Sequence, residues 1–131
     1  MSTFEELMRQ VRASIREVTP AQVNQQVGSG ATVRLLDVRE KDEFDAGHLK
    51  GAHFIPRGFL EIKVEDAFPE KDAPVIVYCQ GGARSAMAAK SMQDLGYKNV
   101  VSMSGGFGLW KRSGFPFDVT EANGNQDTFF S

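Results

Sequence analysis

Cysteine is almost absent: Cys79 is the only one in 131 residues. A lone thiol forms no intramolecular disulfide and no cysteine-only metal site, so folding needs no oxidising compartment. Without a Cys-x-x-Cys pair, thioredoxin-like exchange is excluded. Histidine is scarce too, and two histidines with one cysteine at these spacings make no metal site. No metal and no cofactor is expected. No apolar run approaches the ~18 residues of a membrane span. The opening "MSTFEELMRQ" is charged where a secretory signal is apolar. Neither sign of charge dominates: 15 Lys and Arg stand against 17 Asp and Glu, a net charge of −2 with the signs interspersed. That balance gives no reason to expect nucleic acid or an anionic membrane as partner. Repeats and low-complexity tracts are missing as well. What remains is a cytoplasmic chain of one-domain length, 41% apolar and 24% charged, with ordinary globular composition.

The apolar pattern predicts alternating helices and strands. Phe4, Leu7, Met8, Val11, Ile15 and Val18 recur at helical spacing, capped by Ser2 or Thr3, with Glu5 and Glu6 at the positive end. This amphipathic helix, 1–18, is expected to pack on the domain; a dimer contact is the sharper alternative. Thr19 and Pro20 open a second helix that Gly28 and Gly30 close. "TVRLLDV", "PVIVYC" and "NVVSM" read as strands, with a short one before Pro56. "REKDEFDAG", "RGFLEIKVEDAF", "RSAMAAKSMQDLG" and "GGFGLWKRSG" read as helical. Residues 119–131 are expected to form a polar, mobile tail. Such alternation implies an α/β fold with a mostly parallel central sheet and helices on both faces. Ligands in these folds bind beyond the carboxyl ends of the strands, and Cys79 ends the most apolar one.

"CQGGARS" then gains a chemical reading. A helix starting near Arg84 presents unpaired N–H groups and the positive end of its dipole. Gly81 and Gly82 let the preceding loop curl, so that amides from Gln80 through Ala83 to Ser85 converge on the sulfur. Arg84 adds a permanent positive charge. This nest favours the ionised, nucleophilic sulfur; the alternative is an inert buried cysteine. Two reaction classes use such a site: phosphoryl transfer through a phosphocysteine, and sulfane sulfur transfer through a persulfide.

At these residues the chain resembles the rhodanese family of sulfurtransferases in its single-domain form. "LLDVRE", "FDAGHLKGAHFIP", "CQGGARS" and "GGFGLWKRSGFP" follow one another in the family's order, and the likeness runs from Thr19 to Phe117. It implies a rhodanese-like domain over 19–118 with the helix of 1–18 as an addition. It also implies a sulfurtransferase: Cys79 takes the outer sulfur of thiosulfate or another persulfide, and passes it to cyanide, a thiol or a protein acceptor. The Cys-x4-Arg spacing is one residue shorter than the Cys-x5-Arg of phosphatases with a similar fold. The alternatives are a cysteine-dependent phosphatase or arsenate reductase on the same loop, and a non-catalytic sensor or adaptor domain. Monomer and weak homodimer both remain open.

Many thiosulfate-using members carry basic residues just after the cysteine, where this chain has Gln80 and Gly81. Arg57, after "FIP", is the candidate compensating cation, against the reading of a solvated arginine. Asp37 is expected to orient Arg84 or the loop amides. Arg39 and Glu43 are read as a local i, i+4 pair of little weight. His48 and His53 are assigned structural roles, because an ionised thiol needs no general base. Ser85 is expected to cap or line the helix start, and Phe107 and Trp110 to belong to the core.

Overall fold

The computed structural model describes residues 3–120 and the backbone of 127–130. Helix α1 spans Phe4–Ser14, and Thr3 caps it by accepting the Glu6 N–H at 3.1 Å. The expected helix through residue 18 ends early. Arg16–Val18 form strand β1, which pairs in parallel with β5, Val100–Met103. Helix α2 spans Pro20–Gly28 behind a Thr19 and Gln22 capping box. Strand β2 is Arg34–Asp37, helix α3 Lys41–Ala46 and strand β3 His53–Phe54. A 3-10 turn at Arg57–Phe59 leads into α4, Leu60–Ala67. Then come β4 (Val75–Tyr78), α5 (Ala83–Asp94), β5 and α6 (Gly106–Arg112).

The five strands form one parallel sheet in the order β1-β5-β4-β2-β3. Period-two alternation divides its side chains between two cores. Val75, Val77 and Cys79 pack with Leu36 against α1, α4 and α5, through Met8, Val11, Leu60, Val64, Ala86 and Ala89. Ile76 and Tyr78 pack with Leu35 against α2 and α6, through Val23, Phe107 and Trp110. Both faces of β4 are therefore covered, which is why "VIVY" is apolar at every position. Trp110 also donates its indole N–H to the Pro116 carbonyl at 2.8 Å.

The chain end differs from its expectation as a tail. Phe117–Thr120 form β6, and Asp127–Phe130 form β7 antiparallel to it. The rest of the expected tail, 121–126 and 131, lies outside the described residues. Among the described residues, no helix is long and apolar enough to cross a membrane.

Candidate active site

Strand β4 ends at Tyr78, and its next residue, Cys79, is 1% exposed. Gln80 and Gly81 form an exposed rim, and Gly82 turns the chain with φ of 108°, a left-handed conformation that suits glycine. The turn brings the Gly82 N–H to 3.1 Å from Cys79 Sγ, and the first turn of α5 brings the Ser85 N–H to 3.3 Å. The Ser85 hydroxyl stands 3.4 Å from the sulfur, donates to the Gly82 carbonyl at 3.2 Å, and lies 2.8 Å from the hydroxyl of buried Ser102 on β5. Two backbone donors and the amino end of α5 thus face one sulfur atom, which itself lies within reach of the Ser85 hydroxyl oxygen. Of the amides expected to ring it, those of Gly82 and Ser85 make the bonds.

Helix α6 fixes the loop from the other side. Its Phe107 N–H donates to the Cys79 carbonyl at 2.8 Å, and its Gly108 N–H to the Gln80 carbonyl at 3.0 Å. Gly106 has φ of 60°, and a Cβ there would overlap the Cys79 carbonyl oxygen and stand 2.6 Å from that of Gln80. Only a glycine permits this approach.

The sequence led us to expect Asp37 to orient Arg84 or the loop amides; its partner is instead Arg39. Both are buried, at 0% and 1% exposure. Arg39 Nη2 lies 2.7 Å from Asp37 Oδ2, Nε lies 3.0 Å from Oδ1, and the Arg39 backbone N–H reaches Oδ1 at 2.9 Å. The guanidinium also donates to the Gly47 carbonyl and, at 3.1 Å, to Gln80 Oε1, and lies 4.6 Å from the Phe107 ring centroid. Burial works against its charge, but hydrogen bonding and attraction by Asp37 prevail and hold its pKa above the usual arginine value. The weak Arg39 and Glu43 pair is thus corrected: Arg39 braces the floor of the loop. The Asp-x-Arg spacing at a strand end, which puts two side chains on one side of an extended segment, was the available signal.

Glu43 instead grips Arg84. Arg84 Nη1 and Nη2 donate to Glu43 Oε1 and Oε2 at 2.8 and 3.1 Å, and the Glu40 N–H adds a 2.9 Å bond. The Arg84 hydrogen bond pulls the Glu43 carboxyl down to about 2, although partial burial opposes it. Hydrogen bonding by Glu43 raises the Arg84 pKa, with a further contribution from Cys79. Arg57 donates to Glu61 at 3.0 Å and to Ser91 Oγ at 3.1 Å, so its charge is already paired. His48 is buried, stacks on Phe44 at 3.8 Å and holds the Phe44 carbonyl through Nδ1 at 2.7 Å, a structural placement. His53 is exposed beside Phe68. Among the described residues, no three His, Cys, Asp or Glu side chains gather as metal ligands would.

The family model of the Rhodanese-like domain matches residues 19–113. The thiosulfate sulfurtransferase GlpE of Haemophilus influenzae (strain 86-028NP) is 38% identical over 108 residues, covering 82% of this chain and 98% of that one. A sulfurtransferase of Allochromatium vinosum is 29% identical, with coverage of 82% and 98%. Among solved structures, a protein of unknown function from Rhodopseudomonas palustris CGA009, described as a possible tyrosine phosphatase, matches with a TM-score of 0.82 and 33% identity, covering 88% of this chain and 93% of that one. The thiosulfate sulfurtransferase of Pseudomonas aeruginosa shares the fold at a TM-score of 0.79 and 24% identity, covering 98% of this chain and 24% of that one.

Proposed function

The chain belongs to the rhodanese-like family and is a sulfurtransferase of the rhodanese type, and from that premise we propose that sulfur passes through a persulfide on Cys79. The observation that carries the proposal is the pair of backbone N–H groups, from Gly82 and Ser85, aimed at Sγ at 3.1 and 3.3 Å. Donors so placed would hold the negative sulfur of a persulfide.

In the first step the Cys79 thiolate attacks the outer sulfur of a sulfane donor. With thiosulfate, an S–S bond forms to Sγ, the donor's own S–S bond breaks, and sulfite leaves with the electron pair. The negative charge then sits on the terminal sulfur of the persulfide, where the amides of the Gln80 to Ser85 loop are the nearest donors. In the second step cyanide or a thiolate attacks that terminal sulfur. Sγ departs as the thiolate, and the product is thiocyanate or the acceptor's persulfide. The acceptor is outside the chain, because a second cysteine is lacking. Arg84 is held bidentate by Glu43 at the loop's edge.

The test is intact mass after incubation with thiosulfate or an organic persulfide. The expected result is a gain of one sulfur that disappears in Cys79→Ser. An unchanged mass with every donor sinks the proposal. Hydrolysis of an aryl phosphate with vanadate trapping at Cys79 would instead favour the phosphatase reading, whose support is the description of the Rhodopseudomonas neighbour.

A further inference from the structure

The loop presents a charge problem. A sulfur donor such as thiosulfate is an anion, yet the positive charges around Cys79 are mostly cancelled. Arg39 is paired with Asp37 at 2.7 Å, Arg84 with Glu43 at 2.8 Å and Arg57 with Glu61 at 3.0 Å. No basic residue follows the cysteine directly. Two other arginines stand beside glycines that hold the loop. Arg12, on α1, places Nη2 3.8 Å from the point a Cβ on Gly82 would occupy. Arg112, at the end of α6, places Nη1 3.3 Å from the equivalent point on Gly108, and Gln80 Nε2 stands equally close to that point. Gly82 supplies an amide to the sulfur and Gly108 supplies one to the Gln80 carbonyl, so each guanidinium group stands beside a glycine whose amide shapes the loop. Both residues are exposed, and among the described residues neither side chain has a hydrogen-bond or ion-pair partner. Exposed arginines are ordinarily just solvated; these two differ in standing against the backbone that holds the nucleophile.

We infer that Arg12 and Arg112, and not Arg84, receive the anionic end of the sulfur donor. Arg12 lies before residues 19–113, so part of donor recognition comes from the helix that precedes the family-matching segment. A guanidinium offers several N–H donors in a plane and suits the oxygens of a sulfonate-like group. Attraction by uncancelled charge also concentrates an anion at the mouth before any bond forms. The inference rests on the sulfurtransferase reading for the nature of the anion.

The experiment uses the full chain carrying Arg12→Gln together with Arg112→Gln, and a companion carrying Arg12→Lys with Arg112→Lys. Both positions are exposed, so the fold is expected to stand. In the Gln variant, KM for thiosulfate rises about tenfold, as expected for loss of charge-assisted hydrogen bonds, while kcat changes little. The fall of kcat/KM with added salt, expected in the wild type, flattens. The Lys variant recovers most of the KM. A binding measurement decides the point independently of turnover: protection of Cys79 by sulfite from alkylation by neutral iodoacetamide requires about ten times more sulfite in the Gln variant. Wild-type KM, salt dependence and sulfite protection in that variant would overturn the inference. A wild-type protein that forms no persulfide overturns the sulfurtransfer mechanism instead, and sulfite protection then still decides whether these arginines bind the anion.

Discussion

Asp37 and Arg39 bring opposite charges to a place that water does not reach, directly beneath the residue after the nucleophile. Such a pair adds modest stability while intact, but loss of one partner strands the other. Asp37→Ala is expected to destabilise the fold by about 3–5 kcal/mol, measured by urea unfolding. Arg39→Met, which fills similar volume, still leaves Asp37 buried and unpaired and should cost a similar amount. The residue scale is also where the sequence was least legible. Arg39 and Glu43 fit an i, i+4 pair by spacing, and local spacing says nothing about partners brought from elsewhere in the chain. The fold assigns Arg39 to Asp37 and Gln80, and Glu43 to Arg84, 41 residues away. Cys79, Gly82 and Ser85 were readable because their relation is local: a strand end, a turn and a helix start within seven residues.

At the scale of elements, the β4 loop is held between the start of α5 and the start of α6. The α6 contact depends on Gly106, whose positive φ and lack of Cβ let the Phe107 and Gly108 amides reach the Cys79 and Gln80 carbonyls. Gly106→Ala is expected to push the two segments apart. Persulfide formation should fall at least about tenfold, with a stability loss of about 2 kcal/mol or more and little change in far-UV circular dichroism. Wild-type activity in that variant would show that the close approach is dispensable. The sequence disclosed strands β2, β4 and β5 and the helices between them, because fully covered strands and amphipathic or Ala-rich helices leave strong patterns. It concealed β1: three residues, Arg16–Val18, continue a helical apolar period by coincidence. Their strand character comes from pairing with Val101–Met103, not from their own composition.

For the molecule as a whole, the nearly neutral charge balance conceals a paired interior edge. The Glu43 carboxyl is held at about 2 by Arg84, against an ordinary value of 4.5. Because the folded pKa is depressed, the pair's contribution is fully present above the ordinary value and is lost as pH falls through about 2. Wild type should therefore exceed Glu43→Gln in stability by a constant margin above about pH 6, and the margin should shrink to nothing near pH 2. Denaturant midpoints across that range check it; a margin that grows on acidification would contradict the assignment. A last consequence concerns truncation. The N–H groups that clamp the Cys79 and Gln80 carbonyls belong to residues nearly thirty positions downstream. A polypeptide cut before Gly106 is therefore expected to keep the Gly82 and Ser85 donors but to lose both N–H groups that fasten the Cys79 and Gln80 carbonyls.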